Sequence, residues 1–121
     1  MSETDRQKRM SIVCWSGDLD RVWPVLILST TAAASGLEVN VFFTFWGLRV
    51  LQRNDVRVTG RNWMQKGESL VDRGGVNLYP CQMTMDLYGF TKEDFIDGLG
   101  APMGAASFID MAADSDITLF I

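Results

Sequence analysis

The chain has 121 residues, enough for one domain with a real core, and at 47% hydrophobic and 21% charged it has an ordinary globular composition. A net charge of −4 argues against nucleic acid, whose binding needs a basic face. Two cysteines and no histidine argue against a metal site or a disulfide scaffold, and they remove the usual general base of Ser or Cys hydrolysis.

Met1 to Arg9 reads as a charged, frayed tail, and residues 10–121 as a single domain. The amino end is polar and carries no apolar core of a secretory leader. The longest apolar stretch, Val22 to Ala34, is broken by Pro24 and by Ser29-Thr30-Thr31 and is too short to span a bilayer. A cytoplasmic protein without membrane partners is expected.

Met10 to Trp15 is a compact apolar strand with Cys14 near its carboxyl end. Ser16-Gly17-Asp18 makes a turn, and Ser16 or Asp18 can cap the helix that follows. There Leu19, Val22, Trp23, Leu26, Ile27, Thr30, Ala33 and Ala34 fall at helical spacing as one stripe. Pro24 is tolerable in or near the first turn, and Gly36 ends the helix. Glu38 to Thr44 is almost continuously apolar, as strands covered on both faces are. Phe45-Trp46-Gly47 leads into a short helix to about Gln52. Asn54 to Asn62 has no clear period and reads as a loop, and Trp63 to Arg73 as a helix ended by Gly74-Gly75.

Val76 to Tyr79 is a short buried strand closed by Pro80, which can donate no ladder hydrogen bond. Cys81 follows, and Gln82 to Tyr88 has the residue types of a short helix stopped by Gly89. A cysteine between a strand's carboxyl end and a helix's amino end sits where unpaired N–H groups point and where the helix dipole favours an anion. That setting stabilises the thiolate, the form that attacks and carries sulfur. Position alone fits a small buried residue equally well. Thr91 and Asp94 open a single helical turn as a capping box. Ile96-Asp97-Gly98-Leu99 reads as a short fourth strand, Ala105 to Ala113 as a helix and Asp116 to Ile121 as the last strand.

Strands alternating with helices predict an α/β fold, a parallel sheet with helices on both faces. Its carboxyl edge would gather Cys14 to Asp18, Thr44 to Gly47, Cys81 to Thr84 and Ala101 to Gly104. Trp46 and Phe45 read as core or subunit contacts before a substrate platform, Met83 and Met85 as packing, and Asp18 as a cap before a catalytic acid. Cys14, inside an apolar strand, is expected to be inert.

Pro80-Cys81-Gln82-Met83-Thr84-Met85-Asp86, with Phe43-Thr44-Phe45-Trp46-Gly47-Leu48 upstream and Asp114-Ser115-Asp116-Ile117-Thr118-Leu119-Phe120-Ile121 at the end, resembles the DsrE/DsrF-like sulfur-carrier family. The likeness is nearest to its DsrE-type, peroxiredoxin-like branch and runs from about Ser11 to Ile121. The resemblance implies a three-layer α/β/α sandwich of about five strands in the order 4-3-2-1-5. In that order Cys14 and Cys81 are two strand spacings apart, ~9.6 Å, beyond the roughly 7 Å limit of a disulfide. It also implies a sulfurtransferase or sulfur carrier that relays sulfane sulfur as a Cys81 persulfide between donor and acceptor proteins, with no metal or organic cofactor. Trimers or hexamers are implied too, and the abundance of Trp and Phe agrees, since aromatics are enriched in interfaces.

Three other classes compete. A flavodoxin-like nucleotide or flavin binder is disfavoured by Ser16-Gly17-Asp18-Leu19-Asp20, which lacks the glycine fingerprint and puts two carboxylates where phosphate would sit. A non-catalytic oligomeric subunit or scaffold would simply bury Cys81. A thiol peroxidase lacks a CxxC pair and an obvious resolving cysteine.

Overall fold

Alternation of period two builds the sheet. The structure, a computed structural model, describes residues 7–52 and 76–121. Among these the elements run β1 (Arg9–Cys14), α1 (Leu19–Ala34), β2 (Glu38–Phe43), a 3₁₀ helix (Phe45–Leu51), β3 (Val76–Pro80), α2 (Gln82–Tyr88), a 3₁₀ turn (Lys92–Asp94), α3 (Ala105–Ala113) and β4 (Ile117–Phe120). The four strands are parallel in the order β3-β2-β1-β4.

One face presents Met10, Ile12 and Cys14 of β1, Val39, Val41 and Phe43 of β2, and Val76 and Leu78 of β3. It is buried against Val22, Val25, Leu26 and Ala32 of α1. The other face presents Val13, Phe42 and Tyr79, covered by Phe108 and Ala112 of α3. Phe42 and Phe108 stack with ring centroids 4.9 Å apart. Helices on both faces of a parallel sheet make the expected three-layer α/β/α sandwich.

Four details depart from the sequence expectations. The buried stripe of α1 runs through Val22, Val25, Leu26, Ser29 and Ala32, whereas Trp23 and Ile27 face outward. The helix is apolar on nearly every side, so spacing alone does not select the face that packs. Pro24 lies in the second turn, inside the helix. Asp18 occupies the N-cap without a capping side-chain bond, and its N–H instead donates to Ser16 Oγ at 3.0 Å.

The fourth departure concerns Ile96 to Leu99, which form no strand. Gly98 takes φ 87°, outside the extended region, and Pro102 has no N–H to give a ladder. The chain still runs beside β3 just downstream: Gly100 N–H donates to Leu78 O and Met103 N–H to Pro80 O, each at 2.9 Å. An isolated parallel bridge, Cys81 to Met103, is the ladder remaining there. The sheet therefore has four strands among the described residues, in the implied order with its outermost member reduced to this bridge. The expected loop Asn54 to Asn62 and helix Trp63 to Arg73 lie outside the described residues.

Candidate functional site

Cys81 takes the N-cap position of α2, one residue beyond the β3 ladder. Its N–H donates to Phe43 O at 2.9 Å, tying it to the end of β2, and its carbonyl accepts the first helical bond from Met85 at 3.0 Å. On the opposite flank Gln82 N–H donates to Met103 O at 3.0 Å. The cysteine backbone is thus pinned from both sides, and its side chain is only 6% exposed.

Two hydroxyls converge beside it. Thr84 is buried in the first turn of α2, and Thr44 is half-buried at the end of β2. Their Oγ1 atoms lie 3.1 Å apart, and Phe45 N–H donates to Thr84 Oγ1 at 3.2 Å. Desolvation raises the Cys81 thiol. Hydrogen bonds from the Thr84 hydroxyl and N–H, the Thr44 hydroxyl and the Met83 N–H outweigh it, so the thiol sits below its ordinary value. These donors favour the thiolate over the thiol.

Phe45 carries φ 52°, the one positive value on a non-glycine residue among the described residues. For a bulky side chain this conformation is strained, and such strain persists where the surroundings impose it. Here the turn delivers the Phe45 N–H to Thr84 and carries the chain into the 3₁₀ helix. Trp46 and Phe45 are about half exposed, so within the chain they are not core. Met85 is packed as expected, but Met83 is 76% exposed. With Leu87 it leaves an apolar rim on α2.

Cys14 is fully buried in β1, and desolvation pushes its thiol up to about 12. Its Sγ–H donates to Ser16 O at 3.6 Å. In register Cys14 lies opposite Phe43, and Phe43 opposite Pro80, so β2 separates the two cysteines and both are free thiols.

Of the segments expected at the carboxyl edge, the structure joins Cys81 to Thr84 with Thr44 and Phe45, and with Met103. It does not bring Trp15 to Asp18 to that point. Those residues line a separate cleft of about 420 Å³ with Arg21, Trp46 and Arg49. A larger cleft, about 690 Å³, lies between Pro80, Met85 and the segment from Lys92 to Pro102. No group of three or more His, Cys, Asp or Glu able to hold a metal occurs among the described residues. None of the helices described is long and apolar enough to cross a membrane.

The sequence reading placed Thr44 and Thr84 at this edge without pairing their hydroxyls beside Cys81. One signal was available: in parallel neighbouring strands, the residue ending β2 must lie beside the helix start that follows β3. Thr84, three residues after Cys81, stands in the first turn of that helix.

Comparison with known proteins agrees with this architecture. The chain is 34% identical, over 95% of its length and 99% of the relative, to the sulfur carrier protein DsrE2 of Allochromatium vinosum. It is 26% identical to the uncharacterized protein YrkE of Bacillus subtilis, covering 98% of this chain and 99% of that one. The crystal structure of the ychN protein from E. coli superposes with a TM-score of 0.80 at 19% identity, covering 96% of this chain and all of that one. The model of the DsrE/DsrF/DrsH-like family matches residues 6–72 and 68–120, and the chain belongs to that family.

Proposed function

We propose that this protein is a sulfur carrier that relays sulfane sulfur as a persulfide on Cys81 between a donor and an acceptor protein. The observation that carries this reading is the place of Cys81 at the N-cap of α2, beside the paired hydroxyls of Thr44 and Thr84; donors from Thr84, Thr44 and Met83 hold its thiol below the ordinary value. The relative named a sulfur carrier protein supports the same role.

Loading begins with the Cys81 thiolate attacking the outer sulfur of a donor persulfide. The donor's S–S bond breaks, its inner sulfur leaves as thiolate, and Cys81 becomes Cys81–S–SH. Unloading reverses the roles: an acceptor thiolate takes the outer sulfur, and the Cys81 thiolate departs. The acceptor thiol is oxidised to the persulfide level as Cys81 is reduced to the thiol, so no external oxidant, metal or histidine is required. Such thiol chemistry suits the cytoplasm.

Incubated with polysulfide or thiosulfate, the protein gains about 32 Da per sulfur atom, and reductant removes it. Cys81→Ser gains nothing, because a hydroxyl supplies no thiolate at neutral pH. Cys14→Ser, once circular dichroism has confirmed its fold, loads like the parent. Loading that survives in Cys81→Ser and disappears in folded Cys14→Ser assigns the chemistry to the other cysteine.

The 6% exposure of Cys81 favours a second reading, a non-catalytic oligomeric subunit or scaffold in which the thiol is merely enclosed. Iodoacetamide on the native protein separates the two: Cys81 reacts if it is a carrier and resists if it is scaffold.

A further inference from the structure

Around Cys81 the hydrogen atoms can be counted. Thr84 Oγ1 has two lone pairs and one hydrogen. Phe45 N–H occupies one lone pair, at 3.2 Å. Thr44 Oγ1, 3.1 Å away, is in contact with the same oxygen, and both hydroxyls act to lower the Cys81 thiol. Two hydroxyls hold two hydrogens, whereas the bond between them and one bond from each to sulfur would need three. When the sulfur is a thiolate, at least one hydrogen must turn to it. When the sulfur is capped and uncharged, the hydroxyls can satisfy each other.

The sulfur relay alternates between these two states. In the thiolate the negative charge lies on Sγ, within the ring of donors. In the persulfide the ionisable group is the outer sulfur, one S–S bond away, about 2 Å. Donors fixed on Sγ therefore favour the unloaded form, and they favour it most as the S–S bond breaks and charge returns to Sγ. Donors held beside a developing charge stabilise the transition state.

We infer that Thr84, aimed by the strained Phe45 N–H and backed by Thr44, is a positioning residue that makes Cys81 a good leaving group in the unloading half of the transfer. This rests on the persulfide reading above. In that step the acceptor thiolate forms a bond to the outer sulfur of Cys81–S–SH and the Cys81 Sγ–S bond breaks. The electron pair stays on Sγ, and the proton stays with the transferred sulfur, giving the acceptor persulfide. The Thr84 hydrogen turns from Thr44 toward Sγ as the charge arrives. The strain at Phe45 acquires a purpose: its N–H occupies a lone pair of Thr84 and leaves the hydroxyl hydrogen free to face the sulfur.

The two half-reactions respond with opposite sign to loss of these donors. A thiolate of higher pKa is the stronger nucleophile but the poorer leaving group. Thr84→Val, Thr84→Ser and Thr44→Val are compared with the parent by iodoacetamide rate against pH. Loading from inorganic polysulfide and unloading to a small thiol are then measured by intact mass, at neutral pH and above the alkylation midpoints.

Thr84→Val is expected to move its alkylation midpoint upward, and the further it moves, the more slowly the thiolate departs. Above both midpoints it loads at least as fast as the parent yet unloads more slowly. Thr84→Ser restores both rates, and Thr44→Val shows the same pattern in smaller measure. A merely structural lesion would slow loading and unloading together at every pH. The inference is overturned if folded Thr84→Val keeps the parent's midpoint and unloading rate while the parent loads normally. Should Thr84→Val fail to fold, Thr44→Val decides by the same criteria. Failure of the parent to gain sulfur from any donor is a different outcome: it refutes the persulfide reading, and with it this one.

Discussion

Gly47 lies so close to Cys14 that a Cβ on it would stand 2.1 Å from the Cys14 carbonyl oxygen and 2.8 Å from the carbonyl carbon. The contact is between two backbones, so no side chain can swing aside. Gly47 N–H also donates to Trp15 O at 3.0 Å, and Thr44 N–H to Cys14 O at 3.1 Å. These bonds clamp the turn from β2 into the 3₁₀ helix against the end of β1. That turn holds Thr44 and Phe45, so the clamp sets the donors around Cys81 as well as the packing.

Gly47→Ala is expected to destabilise the fold by about 1–3 kcal/mol, the range of overpacking in a tight site, read from the midpoint of urea denaturation. The same variant is expected to alkylate at Cys81 with a higher midpoint, because displacing the turn draws Thr44 away from the sulfur. A variant as stable as the parent would show that the β1 end yields without cost.

The two cysteines are expected to differ sharply toward alkylation. Native protein takes up one equivalent of iodoacetamide, at Cys81, and a second only in denaturant. Cys14 is fully buried and its thiol is pushed up to about 12, so neither access nor thiolate is available there. Peptide mapping of the label checks the assignment.

The sheet and its cysteine were legible because their signals are local. Val76 to Pro80 is mostly apolar and ends at a proline, and Cys81 follows at once, so strand, helix start and thiol are read from adjacent residues. The packed face of α1 was not legible: Trp23, Ile27 and Leu28 are as apolar as Val22, Val25 and Leu26, and what chooses between them is the sheet, not the helix. The fourth strand failed because Gly98 and Pro102 override the apolar character of Ile96 and Leu99. Thr44 and Thr84 are 40 residues apart, and the φ of Phe45 leaves no mark in residue types. Their relation to Cys81 is a consequence of topology.

Assembly provides a further prediction. Trp15, Trp46, Phe45 and Phe120 are each more than 40% exposed, and Ile109 and Ile117 extend the apolar surface along α3 and β4. Trp15 and Phe120 lie side by side, ring centroids 6.4 Å apart, at the carboxyl end of the β4 edge. Clustered aromatics of this kind mark interfaces. The protein is expected to be a homo-oligomer, a trimer in the first instance, in light scattering at micromolar concentration. A monomer mass there would refute it.

The last prediction concerns stability against pH, to which the two thiols contribute with opposite signs. The native Cys81 thiol is lowered from 9.0, so in the window between its native value and 9.0 the unfolded chain holds more protons. Stability from this group is present above 9.0 and is lost as pH falls through the native value. The native Cys14 thiol is raised from 9.0 to about 12, so between those values the native chain holds more protons. Its contribution is fully present below 9.0 and is lost as pH rises toward 12, at roughly 1.4 kcal/mol per pH unit. Stability is therefore expected to rise toward pH 9 and to fall beyond it as far as these thiols decide. The measurement is a difference between parent and variant urea curves. Cys14→Ala removes the falling component from the parent's profile, whatever its offset from lost packing, and Cys81→Ser removes the rising one. Parallel profiles for parent and Cys14→Ala above pH 9 would mean that Cys14 ionises in the native protein as readily as in the unfolded chain.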